Sequence, residues 1–333
     1  FKILPGDTLL LASEKVIIKR VVFPHYSVRL DRTMKALPNH FYTGREEFLE
    51  ERERVFAPMW TCIGFASDVP NAGDVQPLEF MEMPLLMVRG SDQTLRIFHN
   101  VCRHRGHVLV SERGTVKQSL RCPYHSWTYT LEGKLARTPN VGGVGVNDIA
   151  DFDRAGFGLF EVSSVEWHDL VFVNLSGDAP AFEEFIAPLE QRWEPFWGAE
   201  GPALLRRAPS HSSIRLEVPA NWKLAVDNLY DWYHVKVSHG SAFRLNLMDD
   251  VSMSQLQQKV ILGAYGHGIG GPHLTAEEFA RLTDRVQAQQ GDPEWFDYQA
   301  GWRVDANVQE KLGPVGKLSM GHPNIFPNLE DSG

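Results

Sequence analysis

The chain has 333 residues, enough for two domains, and its 43% hydrophobic and 23% charged residues are typical of a globular enzyme. A net charge of -9 argues against a nucleic-acid partner, and the sequence contains no apolar run of the roughly 18 residues that a membrane span needs. Two of the 3 cysteines lie in a metal-binding pattern described below, which leaves no disulfide framework. We therefore expect a cytoplasmic protein from a reducing compartment.

Residues 1–58 are interpreted as an N-terminal segment that packs on the last domain of the chain. Residues 16–18 and 21–23 are typical of short strands. Thr43, with Glu46 three residues later, forms a capping-box pattern. This pattern predicts that a helix begins at Thr43.

Residues 59–165 predict an all-β domain of short strands and turns. Residues 91–93 and 132–133 are turn sequences between apolar strands, so each predicts a hairpin. The predicted strands are 60–65, 75–80, 85–89 and 95–100.

Two short motifs inside this β-rich stretch offer metal ligands. They are Cys102-x-His104 and Cys122-x-x-His125, with 17 residues between them. Two thiolates and two imidazoles can hold a tetrahedral zinc ion. They can also hold a Rieske [2Fe–2S] cluster, in which two cysteines bind one iron and two histidines bind the other. Each motif offers one residue of each kind, which favours the cluster, with a zinc ribbon as the alternative.

Residues 166–333 predict a mixed region, with a strand at 170–174, a helix at 182–196, a strand at 212–218 and a helix that begins near Trp222. The last helix carries Asp231, His234 and His239. Five residues separate the histidines, or roughly 140° around a regular helix. They can bind one ion only if the helix is interrupted between them, and Gly240 is a fitting terminator. Two histidines and a carboxylate form the ligand set of non-haem Fe(II) oxygenases.

Together, these motifs resemble the alpha subunits of Rieske non-haem iron oxygenases of the aromatic-ring-hydroxylating dioxygenase type. The resemblance covers roughly residues 41–329. It rests on both cysteine–histidine motifs, on the run Asn221-Trp222-Lys223, and on Asp231-x-x-His234-x-x-x-x-His239. It implies an α+β protein with an all-β Rieske domain at 59–165. Beside that domain it implies an antiparallel-sheet α+β catalytic domain, similar to a helix-grip fold, at 166–333.

The resemblance also implies the role of each ligand. His234 and His239 bind a mononuclear Fe(II), and Asp231 links His234 to a cluster-ligand histidine of the neighbouring subunit. The remaining ligands hold the [2Fe–2S] cluster: Cys102, His104, Cys122 and His125.

The third iron ligand in this family is a carboxylate near the end of the catalytic domain. Asp331 is the residue we expect in this role, with Asp249 and Asp250 as competing candidates. The family pattern continues beyond this point with further strands and a helix. We therefore expect the catalytic domain to be incomplete at its C-terminal end.

The same resemblance implies that the chain is a terminal oxygenase component, which hydroxylates an organic substrate with O2. We predict that this substrate is aromatic. NAD(P)H supplies the electrons through a reductase, in some members with a ferredoxin, and the subunits form trimers (α3 or α3β3). The alternatives are a monooxygenase or demethylase of a choline- or betaine-like quaternary ammonium compound, which an aromatic cage or a carboxylate would bind, and a pure electron-transfer Rieske protein. The expected pocket residues are Val226, Leu229, Phe243 and Leu247.

Overall fold

A computed structural model gives the fold of the chain. It describes residues 8–12, 15–19, 37–197, 218–230, 234–244, 259–262, 265–270, 306–312, 322–325, 327 and 329–330. The chain divides into two compact units. The β-rich unit comprises Phe48–Phe182 and Leu205–Ser213, and the helix–sheet unit comprises Phe1–Glu47, Glu183–Leu204 and Ile214–Gly333.

The strands of the described residues are as follows, in chain order. They are β1 (Thr8–Ala12), β2 (Lys15–Lys19), β3 (Thr61–Phe65), β4 (Asp74–Phe80), β5 (Met83–Arg89), β6 (Leu95–His99), β7 (Gly114–Thr115), β8 (Ser119–Arg121), β9 (Thr128–Thr130), β10 (Leu135–Arg137), β11 (Glu161–Trp167), β12 (Leu170–Asn174), β13 (Lys259–Leu262), β14 (His267–Gly270), β15 (His322–Ile325) and β16 (Leu329–Glu330).

The α-helices of the same residues are short, apart from one of 16 residues. They are α1 (His40–Thr43), α2 (Arg45–Glu51), α3 (Phe182–Trp197), α4 (Trp222–Tyr230), α5 (Val235–Ser238), α6 (Gly240–Arg244) and α7 (Ala306–Leu312). None of these described helices is both long enough and apolar enough to cross a bilayer.

Two antiparallel sheets build the β-rich unit in the described residues. The larger has seven strands in the order β3-β12-β11-β6-β5-β4-β7, and the smaller has the order β10-β9-β8. In β5, Leu86 and Val88 pack in the same core as the small sheet, whereas Leu85 and Met87 belong to a second core. Because successive side chains of a strand point to opposite faces, the large sheet is covered on both sides here. This explains why the four apolar residues are all buried.

Tight turns connect the strands of the large sheet. The β4–β5 turn at Met81-Glu82 and the β11–β12 turn at His168-Asp169 each have two residues with positive φ. This is the geometry of a type I′ turn, whose twist matches that of the strands. The predicted hairpins at 91–93 and 132–133 are confirmed as the β5–β6 and β9–β10 connections.

The helix–sheet unit combines the helices α1 and α3 to α7 with an antiparallel sheet in the order β13-β14-β15-β16. Strands β1 and β2 form a separate antiparallel pair, and β2 confirms the predicted strand at 16–18. One unit built mainly of strands and one unit of helices with antiparallel strands confirm the α+β prediction.

Some sequence predictions differ from the structure or lie outside the described residues. Thr43 ends α1 and does not begin a helix. Its hydroxyl donates to the Asn39 carbonyl (3.1 Å), and Gly44, which has an extended backbone, separates α1 from α2. The large sheet includes β12, which lies beyond residue 165. The domain bounds at residues 58 and 165 stay predictions. The predicted strand at 21–23 lies outside the described residues, and so does the predicted strand at 212–218 except for Val218, which is not in a strand.

Candidate metal centres

The two cysteine–histidine motifs fold into loops with the same backbone hydrogen bonds. In the first loop, Cys102 N donates to His107 O (2.8 Å) and Gly106 N donates back to Cys102 O (3.0 Å). In the second, Cys122 N donates to Trp127 O (2.8 Å) and Ser126 N donates to Cys122 O (3.0 Å). We call these segments the first ligand loop (residues 102–107) and the second ligand loop (residues 122–127). Both close on themselves and therefore present their ligands from a fixed backbone.

Each ligand loop needs one residue with a left-handed backbone at the same position. Gly106 has φ 70° and Ser126 has φ 61°. Glycine adopts this conformation without strain, whereas serine does so rarely. The Ser126 hydroxyl accepts a hydrogen bond from Arg121 (2.8 Å), which helps to hold the second loop in place.

The four motif residues are arranged as two pairs. Cys102 and Cys122 are both 2% exposed and interact with each other. The rings of His104 and His125 have centroids 4.6 Å apart. Within the described residues, no three His, Cys, Asp or Glu side chains converge on one point. A tetrahedral zinc ion needs four ligands around one centre, so this arrangement of two thiols and two imidazoles fits a two-iron cluster better.

The histidine pair leaves its inner nitrogens without partners. The Nδ1 atoms of His104 and His125 are buried and make no hydrogen bond. A buried polar atom without a partner is costly unless something binds it, and a metal ion can bind this nitrogen. Burial, with smaller effects from His125 and Arg105, lowers the pKa of His104 below its ordinary value, which favours the neutral imidazole that binds metals.

Aromatic side chains surround the histidine pair. The indole of Trp127 is 4% exposed and stacks on the His104 ring, with centroids 4.7 Å apart and planes 12° apart. Phe152 and Phe157 support the other sides of that indole. Tyr124 lies against His125, with ring centroids 3.7 Å apart. A cavity of about 560 Å³ opens beside the two histidines.

One contact in this region was not found from the sequence. The buried phenol of Tyr129, on β9, lies 3.3 Å from the Cys102 sulfur and accepts a hydrogen bond from Arg103 N (3.0 Å). Tyr129 follows the second ligand loop, so the contact joins the two loops. Burial and the bond with Cys102 raise the pKa of Tyr129 well above its ordinary value, so the hydroxyl keeps its proton.

The second candidate centre lies among α4, α5 and α6. His234 precedes α5, and His239 is the turn residue between α5 and α6. Their ring centroids are 5.6 Å apart. The predicted interruption of the helix is therefore present and brings the two rings together. We predicted that Gly240 ends the preceding helix. Gly240 instead begins α6.

Helix α4 begins as predicted from the Asn-Trp-Lys run. Asn221 caps it, because its side-chain oxygen accepts a hydrogen bond from Lys223 N (3.1 Å). The Asn221 amide also donates to the Tyr42 carbonyl (3.2 Å), and the Tyr42 hydroxyl donates to Asp227 (3.3 Å). Two hydrogen bonds thus connect α1 to α4.

Several predicted site residues lie outside what the structure describes. Val226, on α4, is half-buried. Leu229 lies in α4 and Phe243 in α6, but their side chains are outside the described part. The other predicted residues lie outside the described residues altogether: Asp231, Leu247, Asp249, Asp250 and Asp331.

Comparison with known protein families identifies both regions. Residues 59–150 match the Rieske [2Fe-2S] domain. Residues 205–330 match the ring hydroxylating alpha subunit (catalytic domain). The matches occur in the order that we predicted, and they confirm a [2Fe–2S] cluster and a mononuclear iron as the cofactors.

Curated relatives include oxygenase subunits for quaternary ammonium compounds. The carnitine monooxygenase oxygenase subunit of Escherichia coli (strain K12) is 34% identical over 209 residues, which cover 61% of this chain and 52% of the relative. The glycine betaine monooxygenase oxygenase subunit of Pseudomonas aeruginosa (strain UCBPP-PA14) is 33% identical over 225 residues, which cover 67% and 49%. The chain thus spans about half the length of these two relatives.

Two further similarities extend over more of the chain. The biphenyl dioxygenase subunit alpha of Metapseudomonas furukawaii is 27% identical over 323 residues, which cover 90% of this chain and 66% of the relative. The crystal structure of a quaternary ammonium Rieske monooxygenase in complex with L-carnitine is 29% identical, with a TM-score of 0.56, and the match covers 70% of this chain and 61% of that one.

Proposed function

We propose that the chain is the terminal oxygenase of a quaternary ammonium monooxygenase. It belongs to the family of Rieske ring-hydroxylating oxygenase alpha subunits. The observation that carries the substrate class is the identity of 34% and 33% to oxygenase subunits for carnitine and glycine betaine. Electrons from NAD(P)H reach the chain through a reductase. One atom of O2 enters the substrate and the other leaves as water.

The cluster ligands in this proposal are Cys102, His104, Cys122 and His125. The paired thiols and the two buried Nδ1 atoms without partners support this assignment. When bound, the cluster supplies electrons one at a time and the mononuclear iron supplies open coordination positions for O2. The protein holds the histidine rings between aromatic side chains, and Trp127 covers His104 from solvent.

His234 and His239 are the proposed histidine ligands of the mononuclear iron, with Asp331 as the third ligand. Their proximity across the turn at His239 supports the pair. Asp231 is proposed to connect His234 to a cluster-ligand histidine of a neighbouring subunit in a trimer (α3 or α3β3). Such an aspartate orients the imidazole and gives electrons a short path between centres.

The proposed substrate pocket lies beside α4, with Val226, Leu229, Phe243 and Leu247 as lining residues. A quaternary ammonium group carries a fixed positive charge and apolar methyl groups. Aromatic faces and a carboxylate are the protein groups that bind such a cation well.

An aromatic substrate is the second candidate. We predicted such a substrate from the sequence, and the carnitine and glycine betaine relatives do not support it. The similarity to a biphenyl dioxygenase alpha subunit over 90% of the chain is the observation in its favour. A pure electron-transfer role is the weakest alternative, since such a protein has no use for the adjacent pair His234 and His239.

One isotope experiment distinguishes these functions. The metal-loaded protein is supplied with NADH, a surrogate reductase and ¹⁸O2, and offered L-carnitine, glycine betaine or biphenyl. A monooxygenase of quaternary ammonium compounds inserts one ¹⁸O atom into carnitine or betaine. A dioxygenase inserts both atoms into biphenyl and leaves the ammonium compounds unchanged, which would overturn the proposal. No product from any of them, with NADH oxidised normally, would point to electron transfer alone.

A further inference from the structure

Tyr42, on α1, contacts α4 at three points. Its backbone carbonyl accepts a hydrogen bond from the Asn221 side chain (3.2 Å), and its hydroxyl donates to the Asp227 carboxylate (3.3 Å). The Lys223 ammonium lies 5.4 Å from the centre of its ring, which is within the range of a cation–π interaction. One residue of the N-terminal segment therefore contacts α4 from its capping residue to its second turn.

These contacts matter because the described part of α4 has no buried face. None of the side chains that the structure describes at positions 222–228 is buried, and Leu224 is 48% exposed. Most of the stability of a helix in a protein comes from the packing of an apolar face. Polar contacts with α1 therefore contribute more to the placement of α4 than they would to that of a buried helix.

The hydroxyl of Tyr42 is the donor in the bond with Asp227. Burial, with smaller effects of the Asp227 charge and of the hydrogen bond, raises the pKa of Tyr42 above its ordinary value, so the hydroxyl keeps its proton at neutral pH. An ionised carboxylate can only accept. Tyr42 is the one hydrogen-bond partner of this carboxylate within the described ranges.

We propose that Tyr42 is a positioning residue for the mononuclear iron. Through its bond with Asp227 it fixes the part of α4 from which the chain continues to His234, seven residues after Asp227. The ligands of a metal site must be held within about 0.5 Å of their working geometry, so a shift of α4 should weaken the hold of His234 on the iron. The inference rests on the proposed role of His234 as an iron ligand and on nothing about the substrate.

The test is the rate at which a chelator removes iron from the full-length, metal-loaded protein without substrate. Tyr42→Phe removes the hydroxyl but keeps the ring and the backbone carbonyl. Iron should leave the mononuclear site about tenfold faster in this variant, at the low end of the loss typical of an outer partner of a metal ligand. The visible absorption and midpoint potential of the cluster should stay at the wild-type values, because the cluster ligands lie in the other unit.

Tyr265→Phe is the matched control. It also removes a phenol–carboxylate hydrogen bond from the helix–sheet unit, the one that Tyr265 donates to Glu184 on α3 (2.5 Å), but this bond does not involve α4. Iron should leave this variant at the wild-type rate. A wild-type rate in Tyr42→Phe, or an equal acceleration in both variants, would overturn the proposal.

Two variants of Asp227 cover the case in which Tyr42→Phe does not fold. Asp227 is exposed, so its replacement leaves no cavity. Asp227→Asn keeps an oxygen that can accept the Tyr42 hydrogen bond and should release iron more slowly than Asp227→Ala, which has no acceptor. Equal rates in these two variants would also overturn the proposal.

The outcome is separable from that of the isotope experiment, because iron release needs neither substrate nor reductase. A wild-type protein that holds no chelatable iron would contradict the role of His234, and with it both the proposed function and this inference. A wild-type protein that holds this iron but forms no product would leave the inference intact. Unchanged iron release in Tyr42→Phe would leave the proposed function intact.

Discussion

The two ligand loops close on themselves, whereas His234 and His239 meet across an interruption between short helices. In each ligand loop, the cysteine N–H and C=O are both bonded within six residues of backbone. The histidines of the second centre instead lie before α5 and at the turn between α5 and α6, and His239 is exposed. The first centre is thus organised by its own local sequence, while the second, as proposed, also needs a ligand from a distant part of the chain. This difference predicts that the two centres can be lost independently.

Removal of one ligand from each centre should have the largest effect and tests this independence directly. Cys102→Ala should abolish the visible absorption of the cluster but leave the mononuclear iron bound. His234→Ala should do the opposite. Both variants should abolish product formation, because turnover needs the cluster and the mononuclear iron. Metal analysis and absorption spectra of the two variants provide the measurement. Loss of both centres in either single variant would contradict their independence.

Asp231→Asn should have the next largest effect, on communication between the centres and not on their assembly. An amide keeps the size of the carboxylate but loses its charge and its ability to accept a proton. Loss of such an outer partner of a metal ligand typically costs 10–100-fold, so we expect turnover to fall by about that factor. Iron content should remain at the wild-type value. Stopped-flow reoxidation of the reduced cluster measures the effect, and an unchanged rate would remove Asp231 from this role.

Gly133→Ala should destabilise the β-rich unit that holds the ligand loops. Gly133 has φ 81°, and a Cβ there would lie 2.6 Å from the Phe98 ring. Gly177 has a similar φ of 77° but nothing within 4 Å of its Cβ position. Overpacking of a core typically costs about 1–3 kcal/mol.

Gly177→Ala is therefore the matched control for backbone strain without the clash. Thermal unfolding followed by loss of cluster absorption should show a larger fall in midpoint temperature for Gly133→Ala. Equal falls in the two variants would mean that the Phe98 ring can shift without a cost in stability. The core around Phe98 would then be less tightly packed than the structure indicates.

His267 should make the helix–sheet unit sensitive to acid, with the smallest effect of the four. Burial lowers the pKa of His267, and this effect outweighs the hydrogen bond between Nε2 and Phe185 O (2.8 Å), which raises it. The buried Nδ1 atom makes no hydrogen bond. Above the unfolded pKa of about 6.5, both states are neutral. As pH falls below that value, the unfolded chain takes up a proton that the folded chain excludes.

The free energy of unfolding should therefore fall between pH 6.5 and the lowered folded pKa, by at most about 1.4 kcal/mol per pH unit. His267→Gln should flatten this part of the stability curve, whatever its effect at pH 7. Chemical denaturation from pH 5 to 8 measures the slopes. Identical slopes in the two proteins would exclude His267 as the acid-sensitive group.

The sequence predicted best what depends on short segments. The cysteine–histidine motifs, the hairpins at 91–93 and 132–133 and the capped start of α4 each involve a few neighbouring residues. The wrong prediction at Thr43 also came from a short segment. The sequence has a capping-box pattern there, but the Thr43 hydroxyl bonds instead to the Asn39 carbonyl one turn earlier.

Long-range contacts could not be predicted from the sequence in the same way. In the sequence, Tyr129 fits the alternating pattern of a strand and gives no other signal. Only the folded chain brings its hydroxyl close to the Cys102 sulfur. Ser126 adopts the conformation that Gly106 adopts in the first loop, although serine carries no sequence signal for it. The third iron ligand poses the same difficulty, because Asp331, our proposed ligand, lies far along the chain from His234. These residues therefore need a structure or a variant to be assigned.

The metal content of the purified protein tests the central claim most directly. Two separate centres, a [2Fe–2S] cluster and a mononuclear iron, predict about three iron atoms and two acid-labile sulfides per chain, with a Rieske-type EPR signal on reduction. Chelation should then remove about one iron and leave the visible absorption of the cluster unchanged. Zinc in place of iron and sulfide, or iron lost from both centres together, would contradict the account.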